Sequence, residues 1–560
     1  MKLGKTGARF IAETLKGYGV THVFFVPAIL QRTLVELENL NVHRILTHSE
    51  KAAAYMADGY ARASGKPGIC MAQSVGAANL AAGLQDPFLA HSPVIAITGR
   101  KRPIAQYRNA YQEILHGPMY ESVTKYNVNV DSIEQLPIII CQAFREATTG
   151  SPSPVHLDML GLAGEAIETQ GIDVEPVIEE RYARYPAFRP EPDKALLEEA
   201  AAKLKNASRP VIIAGGGAIA SSAESEIFDL AEKLSIPVAT SNDGRGVVTE
   251  THPLSVGVVG SYSCKSANQV VSEADLVFYI GSGTGDQVTH DWTVPKPDTP
   301  IIQIDIHPSE LGRNYRNTLG LLGDAKAAVQ RLPEFFDGKE MKTDWANHAQ
   351  TIVKEWRDSI EPLRISDDMP IRPERLCKEI TDILPPNAVL VADTGYSAVW
   401  SSTMIYLTHR GQRYIRAAGS LGWAFPASLG AKCALPDRPV VCFNGDGAFW
   451  YHLTELETAK RWGINTVTVV NNNSGLGQSI VLVDNAYGKD QGKREDVYGF
   501  KATNFAKIAQ DMGCLGIRVE SPHMISKALK EALAADKPAV VDVVTDINRR
   551  APVPWSSTSK

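Results

Sequence analysis

Residues 443–452 read FNGDGAFWYH, with a lone carboxylate, Asp446, between Gly445 and Gly447 at the end of a β-branched run. Twenty-four residues, 448–471, separate this motif from Asn472 and Asn473. The intervening sequence reads as helix (FWYHLTELETAKRWG) and then strand (INTVTVV). Both ends of the pattern therefore fall at carboxyl ends of strands, the edge where open α/β sheets bind ligands. The chemistry this suits is Mg²⁺ with a phosphate group, because Mg²⁺ takes an octahedral oxygen shell from a carboxylate or two, waters and phosphates. Asp446 would supply the carboxylate, Asn473 an amide oxygen and Gly475 a backbone carbonyl. Gly445 and Gly447 leave room for phosphates to approach the backbone, with the N–H groups of the next helix aimed at them. Alone, Gly-Asp-Gly reads as a tight turn. Paired asparagines ending the next strand favour the binding reading, since Asn is poorly suited to strands.

A second acid stands out at Glu50, where the strand HRILT gives way to the helical THSEKAAAYMADGYARASG. It reads either as a helix-start acid, favourable at that end of the dipole, or as a catalytic carboxylate. The elements that must position these residues alternate between short β-branched runs and helical patterns, the signature of parallel sheets flanked by helices. Strands are expected at 21–26, 67–72 and 93–98, then 210–215, 236–240, 275–281 and 300–306, and finally 388–393, 439–445, 466–472 and 539–544. Residues 171–193 and, less clearly, 357–375 read as linkers rich in Pro and charge. The expected fold is α/β, with three doubly wound parallel-sheet domains at 1–165, 190–345 and 370–550. The first and third could share a fold.

The chain has 560 residues, a formal net charge of −6 and 44% hydrophobic residues. This is ordinary globular composition, with no basic excess for nucleic acid. The N-terminus reads as an amphipathic helix and not a signal peptide, and no apolar run would span a membrane. Seven scattered cysteines without a C-x-x-C pair point to a reducing compartment, so the cytoplasm is the expected location.

GDG followed by NN resembles the thiamine diphosphate (ThDP) motif. The chain as a whole resembles the superfamily of acetohydroxyacid synthase, pyruvate oxidase and benzoylformate decarboxylase, in the order pyrimidine, central and diphosphate domain. That resemblance implies ThDP and Mg²⁺ as cofactors, and a homodimer or homotetramer in which one chain's pyrimidine domain faces another's diphosphate domain. It places Glu50 on the family's catalytic glutamate, which acts on the pyrimidine ring. SVGAANLAAG (74–83) resembles the S-G-P-G-A-x-N-L loop and brings in Gly76 and Asn79. NAYQE (109–113) resembles A-F-Q-E, so Tyr111 and Gln112 would face the thiazolium, and Lys125 resembles a lysine slightly downstream. DTGYSAVW (393–400) would be a second diphosphate loop through Thr394, Gly395 and Tyr396. GSLGWAFPASLGA (419–431) would hold the aminopyrimidine on the Gly419 backbone and place Leu421 under the cofactor. Ala448 and Leu476 complete the implied cofactor set. Among His91, His116 and His452, His116 is the best proton shuttle, although each could be structural.

Departures from the family bear on the reaction. FFVPAILQRT (24–33) replaces a glycine-rich G-Y-P-G-G-A, so Val26, Ala28 and Ile29 would make the substrate pocket narrower or more apolar. Gln478 stands where acetohydroxyacid synthases have methionine, which suits an acceptor needing a hydrogen bond or is simply a helix-start glutamine. VIIAGGGAIA (211–220) would suit a nucleotide only weakly. GSGTGDQVTHDW (281–292) lacks the arginine of the FAD-holding G-x-R-F-D-D-R, which argues against FAD. Asp286 and His290 read as loop residues. The expected activity is decarboxylation of a 2-oxo acid, or reaction of a related ketone, with ligation to a second carbonyl. Alternatives are simple decarboxylation, a 2-hydroxyacyl-CoA lyase, or a ThDP-binding protein without turnover.

Overall fold

The computed structural model describes residues 5–336, 342–489 and 492–556. Three six-stranded sheets follow one another along the chain, and every pairing within them is parallel. The first contains β1 (His22–Phe25), β2 (His43–Leu46), β3 (Gly68–Gln73), β4 (Val94–Arg100), β5 (Tyr126–Val130) and β6 (Val155–Leu160), in the order β2-β1-β3-β4-β6-β5. The central sheet contains β7 (Pro210–Ala214), β8 (Val238–Thr240), β9 (Ser255–Val258), β10 (Leu276–Ile280), β11 (Ile301–Asp305) and β12 (Thr318–Leu322), in the order β9-β8-β7-β10-β11-β12. The third contains β13 (Val389–Ala392), β14 (Arg413–Arg416), β15 (Val440–Gly445), β16 (Val467–Asn472), β17 (Leu515–Val519) and β18 (Ala539–Val544), in the order β14-β13-β15-β16-β18-β17. Counted from its own first strand, the third sheet repeats the order of the first. The central sheet has the 3-2-1-4-5-6 order of dinucleotide-binding sheets.

The supposed linkers are partly structured. Gly171–Ile172 pairs antiparallel with Lys5–Thr6, tying residues beyond 165 back to the first domain. Thr343–Arg364 is one helix that buries Trp345, Ala349, Ile352 and Val353 in a core cluster with central-sheet residues, so the central unit runs past 345.

What positions the site is a crossing between domains. Helix α1 (Glu50–Ser64) follows β2, and α2 (Gly76–Leu89) follows β3. In the third domain α3 (Ala424–Ala434) follows β14, and α4 (Asp446–Trp450) starts at the end of β15. Helix α1 is capped by Ser49, whose side chain accepts from the Ala52 N–H. Its small residues, Ala52–Ala54, Ala57 and Gly59, are all buried, as are Ala424, Ala427, Ser428 and Gly430 of α3. The two helices meet backbone to backbone. A Cβ on Gly59 would lie 2.0 Å from the Ala427 carbonyl oxygen, and one on Gly430 would lie 1.9 Å from that of Met56. The shared core then runs through both domains, from Phe24, Cys70 and Ala96 to Trp423, Phe425 and Cys442.

Gly430→Ala is expected to part these helices and cost about 1–3 kcal/mol, the usual penalty of overpacking. The thermal midpoint followed by circular dichroism should fall, whereas Gly171→Ala, where a Cβ meets nothing within 4 Å, should leave it in place. Equal midpoints for the two variants would contradict the crossing.

Candidate active site

Asp446 opens α4 at the point where β15 and β13 lie side by side and their chain connections diverge, the switch point at which doubly wound sheets bind ligands. It is 2% exposed, and among the described residues no ion pair involves it. Burial pushes its carboxyl up to about 7, partly offset by the backbone N–H groups of Asn473, Gly447 and Gly475. A buried acid without a protein counter-charge is what a cation site looks like before the cation is counted. The next strand delivers the other donors. Asn473 follows β16 directly, its Oδ1 accepts the Gly475 N–H at 3.1 Å, and the turn is held by Leu476 N–H donating to Tyr498 O and Phe500 N–H to Ser474 O. Leu476 closes over the motif: a Cβ on Gly447 would be 2.5 Å from its Cδ2. The structure thus gathers Gly445, Asp446, Gly447, Asn473, Gly475 and Leu476, an oxygen-rich set that fits Mg²⁺ and a diphosphate.

Thr394–Tyr396 face them from the end of β13. Gly395 has φ +67°, and a Cβ there would lie 3.1 Å from Gln478 Oε1. Gln478 is exposed, and its Nε2 donates to the Tyr262 hydroxyl of the central domain at 3.2 Å. Gly419 is exposed and Leu421 half-buried.

Glu50 is the first residue of α1, and its Oε2 accepts from Asn79 Nδ2 at 3.1 Å. A Cβ on Gly76 would lie 2.5 Å from Glu50 Oε1, so glycine there lets the carboxylate lie across the start of α2. Ser74 Oγ donates to the Gln112 carbonyl, which brings Tyr111 and Gln112 to the same edge. Tyr111 is exposed, as is Ala28, and Val26 is half-buried.

Two expectations, at Ile29 and His116, need correction, and the structure gives Lys125 and the glycines after β7 local roles. Ile29 is 0% exposed and belongs to the first domain's core, so it lines no pocket. The His116 side chain is fully buried, so it is not a group a substrate can touch. Its Nδ1 lies 3.0 Å from Asp158 Oδ1, among Thr98, His156 and Asn127. His116, His156 and Asp158 are close enough for a metal, but the Thr98 hydroxyl sits between them, 2.6 Å from His156 Nε2 and 2.9 Å from Asp158 Oδ1. Lys125 caps a helix end, donating to the carbonyls of Glu146, Thr149 and Ser151, and does not face the site. Of the other histidines, His91 bonds Ser151 at the surface and His452 is buried against Tyr55. Finally, the glycines after β7 serve the chain itself. Gly217 N–H donates to Gly281 O at 2.8 Å, and a Cβ on Gly215 would lie 2.4 Å from the same oxygen. The two loops pack backbone against backbone at this point.

Two acids missed at the sequence level organise the site. Asp393, at the end of β13, accepts the N–H groups of Thr394, Gly422 and Ala424. Asp86, inside α2, accepts those of Ala418, Gly419 and Ser420. An acid in the otherwise apolar LAAGLQDPFL was the available signal for Asp86.

Because Asp446 must give up its proton to take a cation, Mg²⁺ uptake is expected to weaken as pH falls through 7, approaching about tenfold per unit below it. Calorimetric titration of Mg²⁺ at pH 6 and pH 8 reads this directly, and identical affinities would contradict the buried-carboxylate picture.

Comparison with known proteins agrees with this geometry. Residues 5–119 match the family described as thiamine pyrophosphate enzyme, N-terminal TPP binding domain. Residues 197–332 match the central domain of the same enzymes, and 393–543 their C-terminal TPP binding domain. The chain is 34% identical over 552 residues to the probable acetolactate synthase large subunit of Methanocaldococcus jannaschii, covering 96% of this chain and 92% of that protein. It is 32% identical over 558 residues to the Methanococcus aeolicus protein of the same name, with the same shares covered. It is 29% identical over 550 residues to acetolactate synthase isozyme 1 large subunit of Escherichia coli, covering 97% and 95%. With its three domains in this order and its relatives matched end to end, the chain belongs to the thiamine diphosphate-dependent enzymes and is acetolactate synthase-like.

Proposed function

We propose that the protein decarboxylates a 2-oxo acid and ligates the remaining fragment to a second carbonyl compound, a reading that fits relatives named as acetolactate synthase large subunits. The observation that carries this is the pairing of Glu50, held by Asn79 across Gly76, with the Asp446–Asn473–Gly475 oxygen set. When bound, ThDP supplies the carbanion chemistry. Asp446, Asn473 and Gly475 would hold Mg²⁺. Gly445, Gly447 and the Thr394–Tyr396 loop would receive the diphosphate. Glu50 would govern the proton at the pyrimidine ring, and the Gly419 backbone and Leu421 would orient that ring. Val26, Ala28, Tyr111, Gln112 and Gln478 would form the substrate pocket. The Gln478 amide offers a hydrogen bond to a polar acceptor, which favours ligation over simple decarboxylation.

The site is completed by a second copy of the chain. Arg416 and Trp423, which flank Gly419, bond Arg62 and Asp58, and these lie two to three turns beyond Glu50 on α1, about 12–18 Å at 1.5 Å per residue. Glu50 and Gly419 of one chain are therefore too far apart to serve the same aminopyrimidine, and a homodimer is the minimal unit.

The central domain carries no FAD in this proposal, since its glycine loop is packed against Gly281. The purified protein should show no absorbance peak near 450 nm and release no flavin on denaturation; stoichiometric flavin would overturn that part.

Glu50→Gln is expected to remove most turnover while ThDP–Mg²⁺ binding, followed by calorimetry, stays close to wild type. Mass spectrometry of products from a panel of 2-oxo acids separates ligation from simple CO₂ loss. Free aldehyde as the sole product would favour the decarboxylase alternative, and normal turnover by Glu50→Gln would end the assignment.

A further inference from the structure

The segment 418–424, which carries Gly419 and Leu421, is a strap slung between two buried carboxylates. From its own domain, Asp393 Oδ1 accepts Gly422 N–H at 3.0 Å and Oδ2 accepts Ala424 N–H at 2.8 Å. From the first domain, Asp86 Oδ1 accepts Ala418 N–H at 3.0 Å, and Oδ2 accepts Gly419 and Ser420 N–H at 3.2 and 3.0 Å. Asp86 is 0% exposed, so it can be charged there only if it is paired. Its pairing is a second bridge between the domains. Arg62 Nη2 donates to Asp86 at 3.0 Å and to Asp58 at 2.8 Å, and Nη1 donates to the Arg416 carbonyl just ahead of the strap. The guanidinium lies over the Trp423 ring, whose indole N–H donates to Asp58 Oδ2 at 2.9 Å.

The arrangement has a direction. The donors Asp86 engages are backbone groups of one short loop in another domain, and two of those three residues, Gly419 and Ala418, are not buried. With the N–H groups pulled toward Asp86, the open side of the loop is free to meet a ligand. We propose that Asp86 is a positioning residue for the cofactor, a first-domain carboxylate that sets ThDP affinity of the third domain by fixing the conformation of residues 418–420. This rests on the ThDP-dependent function and on the place of Gly419 in it, and it adds that docking of the first domain and cofactor grip by the third are one coupled event.

Asp58 provides the internal control. It is as buried as Asp86 and shares Arg62, but it touches the strap only through the Trp423 indole and accepts none of its backbone N–H groups. The experiment is calorimetric titration of ThDP, at saturating Mg²⁺, into the full-length chain and its Asp86→Asn and Asp58→Asn variants, with melting temperatures taken in parallel. Asp86→Asn turns a four-fold acceptor into a group with one oxygen and an amine facing donors. Its ThDP dissociation constant should rise about tenfold or more, the worth of a charge-assisted hydrogen bond. Asp58→Asn should lower the melting temperature by a similar amount yet bind ThDP like wild type. Parallel loss of ThDP affinity in both variants, or wild-type affinity in Asp86→Asn, overturns the proposal. Should Asp86→Asn fail to fold, Asp86→Glu keeps the charge and moves it by one methylene. Amide hydrogen exchange at 418–420 should then quicken in step with weaker ThDP binding, and quicker exchange with unchanged binding is again an overturning result. Wild-type protein that takes up no ThDP would instead remove the function on which the proposal rests.

Discussion

The structure depends on two helices touching without side chains between them. Helices α1 and α3 come so close that the Ala427 and Met56 carbonyl oxygens occupy the places of the Cβ atoms that Gly59 and Gly430 lack. Close approach of this kind has a single geometry, so it sets the first and third domains relative to each other to within a fraction of an ångström. Two parts of the candidate site hang on the ends of those helices, whereas Asp446 and Asn473 follow β15 and β16. Glu50 begins one of them, and the strap that carries Gly419 and Leu421 leads into the other.

Three buried aspartates show how surroundings divide the work of one side-chain type. Asp446 has backbone donors and no ion pair among the described residues, and burial carries it up to about 7. Asp393 reaches about the same value through burial against three backbone donors, and its task is to join the Thr394 loop to the strap. Asp86 has Arg62 beside it in addition to three backbone donors. Its charge is held by a partner, so it can serve as a fixed acceptor. Half-buried Glu50, by contrast, meets a side-chain donor, Asn79.

Most of the fold was legible because its strands are short apolar runs in a parallel sheet, buried on both faces. Six strands escaped notice: β9, β12 and β17 each carry a glycine that breaks the apolar run, and β5, β6 and β14 carry polar or charged residues. β5 carries Asn127, which bonds His156 of β6, β6 also carries Asp158, which accepts from the Thr98 hydroxyl, and β14 begins and ends in arginine. That Asp446 and Asn473 stand at the ends of β15 and β16 was legible, because glycine, aspartate and asparagine are poorly suited to strand interiors. Depth was not. A motif says that His116 follows YQE and that Ile29 follows a strand, but not that the one is sealed against Asp158 and the other lies in the core. Asp86 and Asp393 were hidden for the opposite reason. Their partners are backbone N–H groups more than 300 residues away for Asp86, and no residue type announces those.

The first and third sheets share one strand order, and in both the decisive loop follows the second strand: Glu50 after β2, Gly419 after β14. Two copies of one architecture have thus specialised at the same address, one offering an acid and the other a bare backbone. They remain yoked along the α1–α3 seam, where each helix supplies a glycine to the other's carbonyl. Such copies cannot drift independently. A larger residue on one side of the seam therefore requires a compensating change on the other, which ties the two domains to each other by sterics alone.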